Sequence, residues 1–471
     1  MKTPLHLLLA TAALMAGSTL QLRADEVSLT TALPVGEKLA FALNADVAAT
    51  LTWGDGSTQT IDSDGTLQEV EVKASTLTIT SSDPITSLYL QGNSLTALNV
   101  RGATRLKVLL AADNELSSLD LSQNAELTTL DVQDNQLTTL SASNAKELTS
   151  LNAARNALTR ITLASAARPT TLVVNDNGMT SLPTATVLTN VTTLWAAGNK
   201  ITTLPVGYAT GLRSLVASAN ELKAVNVPYT PALREVWVDH NHLTELDLSR
   251  QSPKLQALSA NDNELTIVKW DKTSKSTCKY VYLQHNALFP NSLPSLIYGG
   301  KQLSANVGDQ QPYTLDKVVY DPGETIDLSA LVQQNGWGIS VSPTVSLKDD
   351  DGNALTAGTD YTVKNYAYTI DGVHRGLRFE VTSRQYDGLT FRTSRFAVGT
   401  TDGVSATTAA TGLTVAGEKG GIRLTLAAPL RVVAVSAAGT VVADGLMTAG
   451  THTIAVPAGI YVVNGQKVVV R

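Results

Sequence analysis

The chain has 471 residues, too many for one ordinary domain, and only 16% of them are charged. Its net charge of −6 comes without any basic run, which argues against a nucleic-acid partner held through phosphate contacts. A single cysteine, Cys278, excludes an internal disulfide and a cysteine-rich zinc centre, while 5% aromatic residues amid plentiful Thr, Leu, Ala and Val suit many short strands.

Residues 1–24 have the form of a secretory signal peptide. Lys2 supplies the positive end, residues 5–15 a short apolar core, and small and polar residues lead to Ala24 as the expected cleavage point. The apolar stretch is too short for a membrane span, so an exported mature chain is expected. Residues 25–84 show no long period. They carry strand-like runs at 38–43, 51–53, 70–72 and 77–79, with Trp53-Gly54-Asp55-Gly56 as a tight turn, and are expected to form a small β cap.

From 85 to 290 asparagines recur at Asn93, Asn114, Asn135, Asn156, Asn177, Asn199, Asn220, Asn241, Asn263 and Asn286, at intervals of 21 to 23 residues. Apolar residues return at fixed offsets around each. Five before stand Leu88, Leu109, Leu130 and their successors to Val281; three before, Leu90, Ala111, Val132 and onward; two after, Leu95, Leu116, Leu137 and onward. Apolar residues two apart share one side of a strand. One strand per turn then stacks into a parallel sheet on a concave face. The roughly ten residues left for the return path are too few for a full helix, so extended or 3₁₀ turns are expected. An inward amide in every turn needs partners, and the backbone of neighbouring turns can supply them as a ladder. About ten such turns stabilise one another through nearest-neighbour contacts.

The pattern L-x-x-L-x-L-x-x-N-x-L-x-x-L resembles the leucine-rich repeat, in particular its short-repeat, internalin-like branch. The resemblance implies a surface protein that binds another macromolecule. The free positions of the repeat indicate where. Between the two inward positions each turn shows one side chain on the sheet, in the series Tyr89, Leu110, Asp131, Asn152, Val173, Trp195, Val216, Trp237, Ser259 and Tyr282. A solvated sheet would be polar there, yet Val173, Trp195, Val216 and Trp237 are consecutive and apolar. The next column is polar or small, at Asn175, Ala197, Ser218, Asp239, Asn261 and Gln284. An exposed aromatic cluster with a polar border has the composition of a recognition hot spot. Tyr89, Val173, Trp195, Val216, Trp237, Asp239 and Tyr282 are therefore the candidate ligand-binding residues. The plainer alternative is that the rings pack together and shield the sheet.

No G-x-S-x-G, H-E-x-x-H or phosphate loop is present, and no catalytic residue or cofactor is expected. His240 and His285 hold one repeat position two turns apart. With His242, Asp239 and Cys278 nearby a metal site can be drawn. However, the neighbours of Asn241 diverge at a turn and Cys278 falls on an inward position, so no metal is expected and Cys278 reads as a small core residue.

Residues 291–399 alternate as short strands between turn clusters, the pattern of a β-sandwich, and resemble the immunoglobulin-like module that often follows such repeats. The acidic run 349–353 lacks the ligand spacing and terminal Glu of an EF-hand and reads as a solvated hairpin turn. Residues 400–411, rich in Thr, Ala, Gly and Ser, read as a linker. Residues 412–471 carry a V-x-V-x-x-x-G hairpin ending at Gly439, the motif P-x-G-x-Y-x-V at Pro457, Gly459, Tyr461 and Val463, and a basic-valine terminal strand. This segment resembles the C-terminal sorting domain of the type IX secretion system of the Bacteroidetes. The resemblance implies recognition by that machinery, removal of the domain near the linker, and tethering at the outer-membrane surface or release. The sequence thus reads as a mainly β, non-enzymatic surface adhesin with no transmembrane span. Its expected partner is a protein or glycan on host cells, other bacteria or biofilm matrix. A glycan-binding or nutrient-capturing surface protein is the second reading.

Overall fold

The computed structural model describes residues 24–226, 230–249, 254–270, 278–295, 297–298, 301–302, 304–336, 340–399, 413–427, 430–436, 440–463 and 466–470. The expected signal peptide up to Arg23, the 400–411 linker and Gly439 lie outside the described residues. The chain divides into two compact units, one up to Val191 and one from Thr192. Both are built almost wholly of strands and turns.

The first unit opens with an antiparallel sheet. Asp25–Thr31 lies between Thr76–Ser81 and Leu95–Asn99, and Ala49–Trp53 joins Thr76–Ser81 to Thr58–Ile61. Alternation drives it: Val27, Leu29, Leu51, Leu77 and Ile79 are buried, while Thr30, Thr50, Thr52, Thr76, Thr78 and Thr80 between them are half-buried or exposed. Lys38–Asn44 runs antiparallel to both Gln68–Glu71 and Ser87–Tyr89. From Ser87–Tyr89 the pairing becomes parallel and passes in register through Val108–Leu110, Thr129–Asp131, Ser150–Asn152 and Thr171–Val173. Each of these three-residue strands buries its middle leucine and turns its two neighbours outward. The second unit repeats the scheme through Thr193–Trp195, Ser214–Val216, Glu235–Trp237, Ala257–Ser259 and Tyr280–Tyr282. Each unit thus contains a run of parallel β-solenoid with one short strand per turn. The return paths are turns and brief parallel pairs, such as Leu140–Ala142 with Ile161–Leu163, with 3₁₀ turns at Val187–Asn190 and Pro290–Ser292.

The asparagine column joins the turns. Asn135 donates to Ala111 O at 2.9 Å on the preceding turn, and its Oδ1 accepts the Leu116 amide at 2.9 Å. Asn114, Asn156 and Asn177 make the same pair of bonds in the first unit, as do Asn220, Asn241, Asn263 and Asn286 in the second. Asn199 donates within its own turn to Ala196 O and Ala197 O. Asn93 reaches back instead to the antiparallel strand, accepting from Ala40 N at 2.9 Å and donating to Ala40 O at 2.7 Å. Asn156 and Asn177 are half-buried and the other eight are buried. The residue before each ladder amide is left-handed, from Gly92 and Asp113 (φ 56°) through His240 (φ 51°) to His285 (φ 55°). That conformation favours Gly and Asp, which accounts for their frequency in this column.

The parallel pairing continues one turn past the expected end at Pro290. Ser304–Asn306 pairs in register with Tyr280–Tyr282, and Gln310 takes the asparagine's place. Its amide donates to Leu283 O at 2.7 Å and accepts from Leu288 N at 2.8 Å. The rung comes 24 residues after Asn286, and the longer side chain spans the larger turn.

Beyond it, one sheet holds Val319–Tyr320, Phe396–Val398, His374–Thr382 and Thr344–Lys348, and another holds Thr325–Asp327, Ala367–Ile370 and Tyr361–Lys364. Tyr368 and Phe396 pack against Phe379 at centroid distances of 4.8 and 5.3 Å. The last turns of the solenoid meet this module closely. Trp270 Nε1 donates to Ser292 O at 2.7 Å, Tyr386 Oη to Pro294 O at 3.0 Å, and Gly336 lies so close that a Cβ there would stand 2.4 Å from Trp270 Cδ1. The acidic run closes as a turn, with Asp349 Oδ1 accepting the Asn353 amide at 2.7 Å. The final segment forms two antiparallel sheets around Ile422, Leu424, Val432 and Val463. Among the described residues no helix is long and apolar enough to cross a membrane.

Candidate functional site

Parallel register fixes the site. Trp195, Val216, Trp237, Ser259 and Tyr282 stand opposite one another on five successive strands of the second unit. Neighbouring strands lie about 4.8 Å apart, which separates the Trp195 and Trp237 backbones by about 10 Å. Trp195 is 39% exposed, and its Nε1 donates to Ser214 Oγ on the next strand at 2.9 Å. That bond sets the orientation of the indole. Val216, Trp237 and Tyr282 are half-buried. Ser259 departs from the expected series, being buried at 3% exposure with its hydroxyl donating to Asp239 Oδ1.

A polar file runs beside the rings. Asp239 also accepts from Ser218 Oγ at 2.5 Å. Ser259 Oγ lies 2.9 Å from Asn261 Oδ1, and Asn261 Nδ2 donates to Asp262 Oδ2 at 2.5 Å. Asp262 stands between two imidazoles, with His285 Nδ1 at 2.7 Å and His240 Nε2 at 3.5 Å. The bond from Asn261, and then that from His285, holds the Asp262 carboxyl below the ordinary carboxylate range. His242 pairs separately with Glu264 at 3.3 Å.

The structure therefore brings together Trp195, Val216, Trp237, Asp239 and Tyr282. Tyr89 and Val173 belong to the first unit, where each is half-buried at the same position of its own turn. Leu110, Asp131 and Asn152 stand between them in register. Burial raises the Asp131 carboxyl there, and Asn152 donates to Gln133 Oε1 at 2.8 Å. A second outward column escaped the sequence reading. The residue before each buried strand centre faces the same side as the residue after it, which adds Glu235 and Tyr280, the latter 49% exposed. The same two-residue alternation that located Trp195 marks them.

The drawn metal set does not assemble. His240 and His285 turn to Asp262, and Asp239 is engaged by serines. Cys278 is buried in the solenoid, where burial pushes its thiol up to about 12. Among the described residues no cluster of three or more His, Cys, Asp or Glu has the arrangement of a metal site. In the final segment Tyr461 Oη donates to Pro457 O at 2.9 Å, and a Cβ on Gly459 would stand 3.4 Å from the tyrosine ring. The motif residues thus interlock in one turn.

No protein-family model and no curated protein matches the chain. Several solved leucine-rich-repeat structures are similar to it. YopM, a leucine-rich effector protein from Yersinia pestis, is 24% identical over 50% of this chain and 61% of its own, with a TM-score of 0.37. A leucine-rich-repeat protein of Leptospira interrogans is 20% identical over 46% of this chain and 56% of its own, at 0.34. InlP of Listeria monocytogenes is 19% identical over 68% of this chain and 91% of its own, at 0.39. The chain thus spans less than two thirds of the first two.

Proposed function

We propose that this chain is a non-enzymatic binding scaffold displayed outside the cell, an adhesin that attaches it to a macromolecule on a host surface, another bacterium or biofilm matrix. The binding surface in this reading is the strand face of the second unit. The observation that carries it is Trp195, a large ring left 39% exposed on a rigid strand and held in orientation by Ser214. Exposing an indole in water is unfavourable, whereas aromatic anchors on rigid frames account for much of the affinity of protein interfaces. Val216, Trp237 and Tyr282 extend the apolar file, and Asp239, Ser218 and Asn261 border it with polar groups.

The test is the double variant Trp195→Ala/Trp237→Ala, compared with the parent for adhesion of cells or protein-coated beads to epithelial cells and to biofilm. Circular dichroism checks that the fold is retained. Adhesion should be lost with the spectrum unchanged; a double variant that adheres as the parent does overturns the assignment. Export through residues 1–24 and surface attachment through residues 412–471 form part of the proposal. Deleting 412–471 should move the protein from the cell surface to the periplasm, and an unchanged surface pool would refute that part.

A further inference from the structure

We infer that the strand face of the second unit takes a neutral, extended oligosaccharide laid along the stack of turns. The inference rests on reading that face as the binding surface, and it names the class of partner. Three observations converge on it.

The first is the interval between rings. Trp195, Trp237 and Tyr282 occupy every second strand of one unbroken register, with the smaller Val216 and Ser259 between them. These strands thus repeat an aromatic group about every 10 Å along the stack. Rings that merely shield one another sit with centroids roughly 4.5–7 Å apart, and adjacent strands would deliver that spacing directly. A globular partner gives no reason for a fixed interval. A polymer of rings does, because two linked hexopyranoses in an extended chain span a comparable length and present an apolar ring face at each repeat.

The second is the chemistry beside the rings. Ser218, Asp239 and Asn261, each half-buried, offer hydroxyl, carboxylate and amide groups, the set that exchanges hydrogen bonds with sugar hydroxyls. Asp239 accepts from two hydroxyls, those of Ser218 and Ser259, and a carboxylate has about four acceptor positions, so it retains capacity to accept from a ligand hydroxyl. The Ser214 bond fixes the Trp195 plane in advance, so little side-chain freedom is lost on binding.

The third is charge. Glu235 precedes Trp237 by two residues on its strand and Asp239 follows it by two, just past the strand's end, and the outward positions of the six strands from Thr193–Trp195 to Ser304–Asn306 contain no lysine or arginine. Arg213, Arg234 and Lys279 stand one residue before their strands, at the edge of the sheet rather than among the rings. Carboxylates beside the central ring repel sulfated or sialylated chains. A neutral glycan meets no such penalty.

The test uses the mature chain from Asp25 onward and four chain-length series from disaccharide to hexasaccharide: β-1,4-linked glucose, N-acetylglucosamine, xylose and mannose. Binding is read by tryptophan fluorescence and calorimetry. At least one series should bind, with affinity rising about ten-fold or more from disaccharide to hexasaccharide as a second and third ring engage. Trp237→Ala should weaken the hexasaccharide by about ten-fold or more, and Trp195→Ala/Trp237→Ala should abolish binding. Heparin should bind more weakly than the best neutral hexasaccharide. The inference is overturned if none of the series binds, if affinity ignores chain length, if the double variant binds as well as the parent, or if heparin binds best. Loss of adhesion in the double variant without any sugar binding would remove the glycan and leave the binding face standing. Adhesion and sugar binding both indifferent to the two tryptophans would remove both.

Discussion

Replacing Asn135 by alanine isolates what one rung of the ladder contributes. Its Oδ1 accepts the Leu116 amide at 2.9 Å, and Nδ2 donates to Ala111 O at 2.9 Å and lies 3.2 Å from both Val132 O and Gln133 O. Nδ2 carries two protons, so the side chain satisfies about three bonds at once, each contributing about 1 kcal/mol net. Alanine also strands the amide of Leu116, a residue buried from water, and an unsatisfied buried donor costs about 1–3 kcal/mol. The expected loss is about 3–5 kcal/mol, transmitted to both adjacent turns because each turn is supported by its neighbours. Urea denaturation followed by circular dichroism measures the sum, and amide exchange at Leu116 locates it. Asn144→Ala is the control. That exposed asparagine makes its bond to Ser122 O at 2.6 Å in contact with water, and its loss should stay below about 1 kcal/mol. If the two variants lose equal stability, the ladder is ornamental and the account of the solenoid's cohesion fails.

Gln310→Ala should raise exchange of the Leu288 amide by at least an order of magnitude while the Leu265 amide, bonded to Asn286, keeps its protection; equal exchange at Leu288 in parent and variant would show that Gln310 is no rung. Gly336→Ala drives a methyl to 2.4 Å from Trp270 Cδ1 and 3.0 Å from Leu293 O, and should destabilise the chain by about 1–3 kcal/mol by forcing Trp270 off Ser292 O. An unchanged melting temperature contradicts that packing. Cys278 reacts as its thiolate, and burial pushes its pKa up to about 12, so the reactive form is scarce throughout the neutral range and grows only as pH approaches that value. Iodoacetamide at mildly alkaline pH should label the native chain far more slowly than the chain in denaturant, and equal rates would place the thiol at the surface.

The solenoid was legible because its geometry leaves the sequence little choice. Every turn must fit the one before it, so the buried rows and the amide return at nearly constant spacing, and the left-handed residue before each amide leaves its trace in Gly92, Asp113, Asp134 and Asp176. What escaped did so for equally physical reasons. Ala40 meets Asn93 through its backbone alone, and backbone partners leave no mark in a residue pattern. Gln310 is a rung in a longer turn, carried by a different residue, and a search for asparagine at constant period stops before it. Ser259 stands at an outward position yet is buried, because Asp239 on the neighbouring turn draws its hydroxyl inward. The rings of the candidate site are readable as a column, but the bond that orients Trp195 joins residues 19 apart on two strands, and no residue pattern records it.

Lys38–Asn44 runs against the direction of the strand it covers, Ser87–Tyr89. A stack of parallel strands has two unlike ends, and the bare leading edge of one copy would offer the groups that the trailing edge of another requires. Joining of that kind does not close on itself and grows into filaments. Gln68–Glu71 in turn covers Lys38–Asn44, so the outer edge at this end is a four-residue strand with Glu69 and Glu71 exposed, and a short, charged edge is a poor template for another chain. The cap thereby acts as a stop against endless end-to-end growth, through the shortness and exposed charge of its last strand.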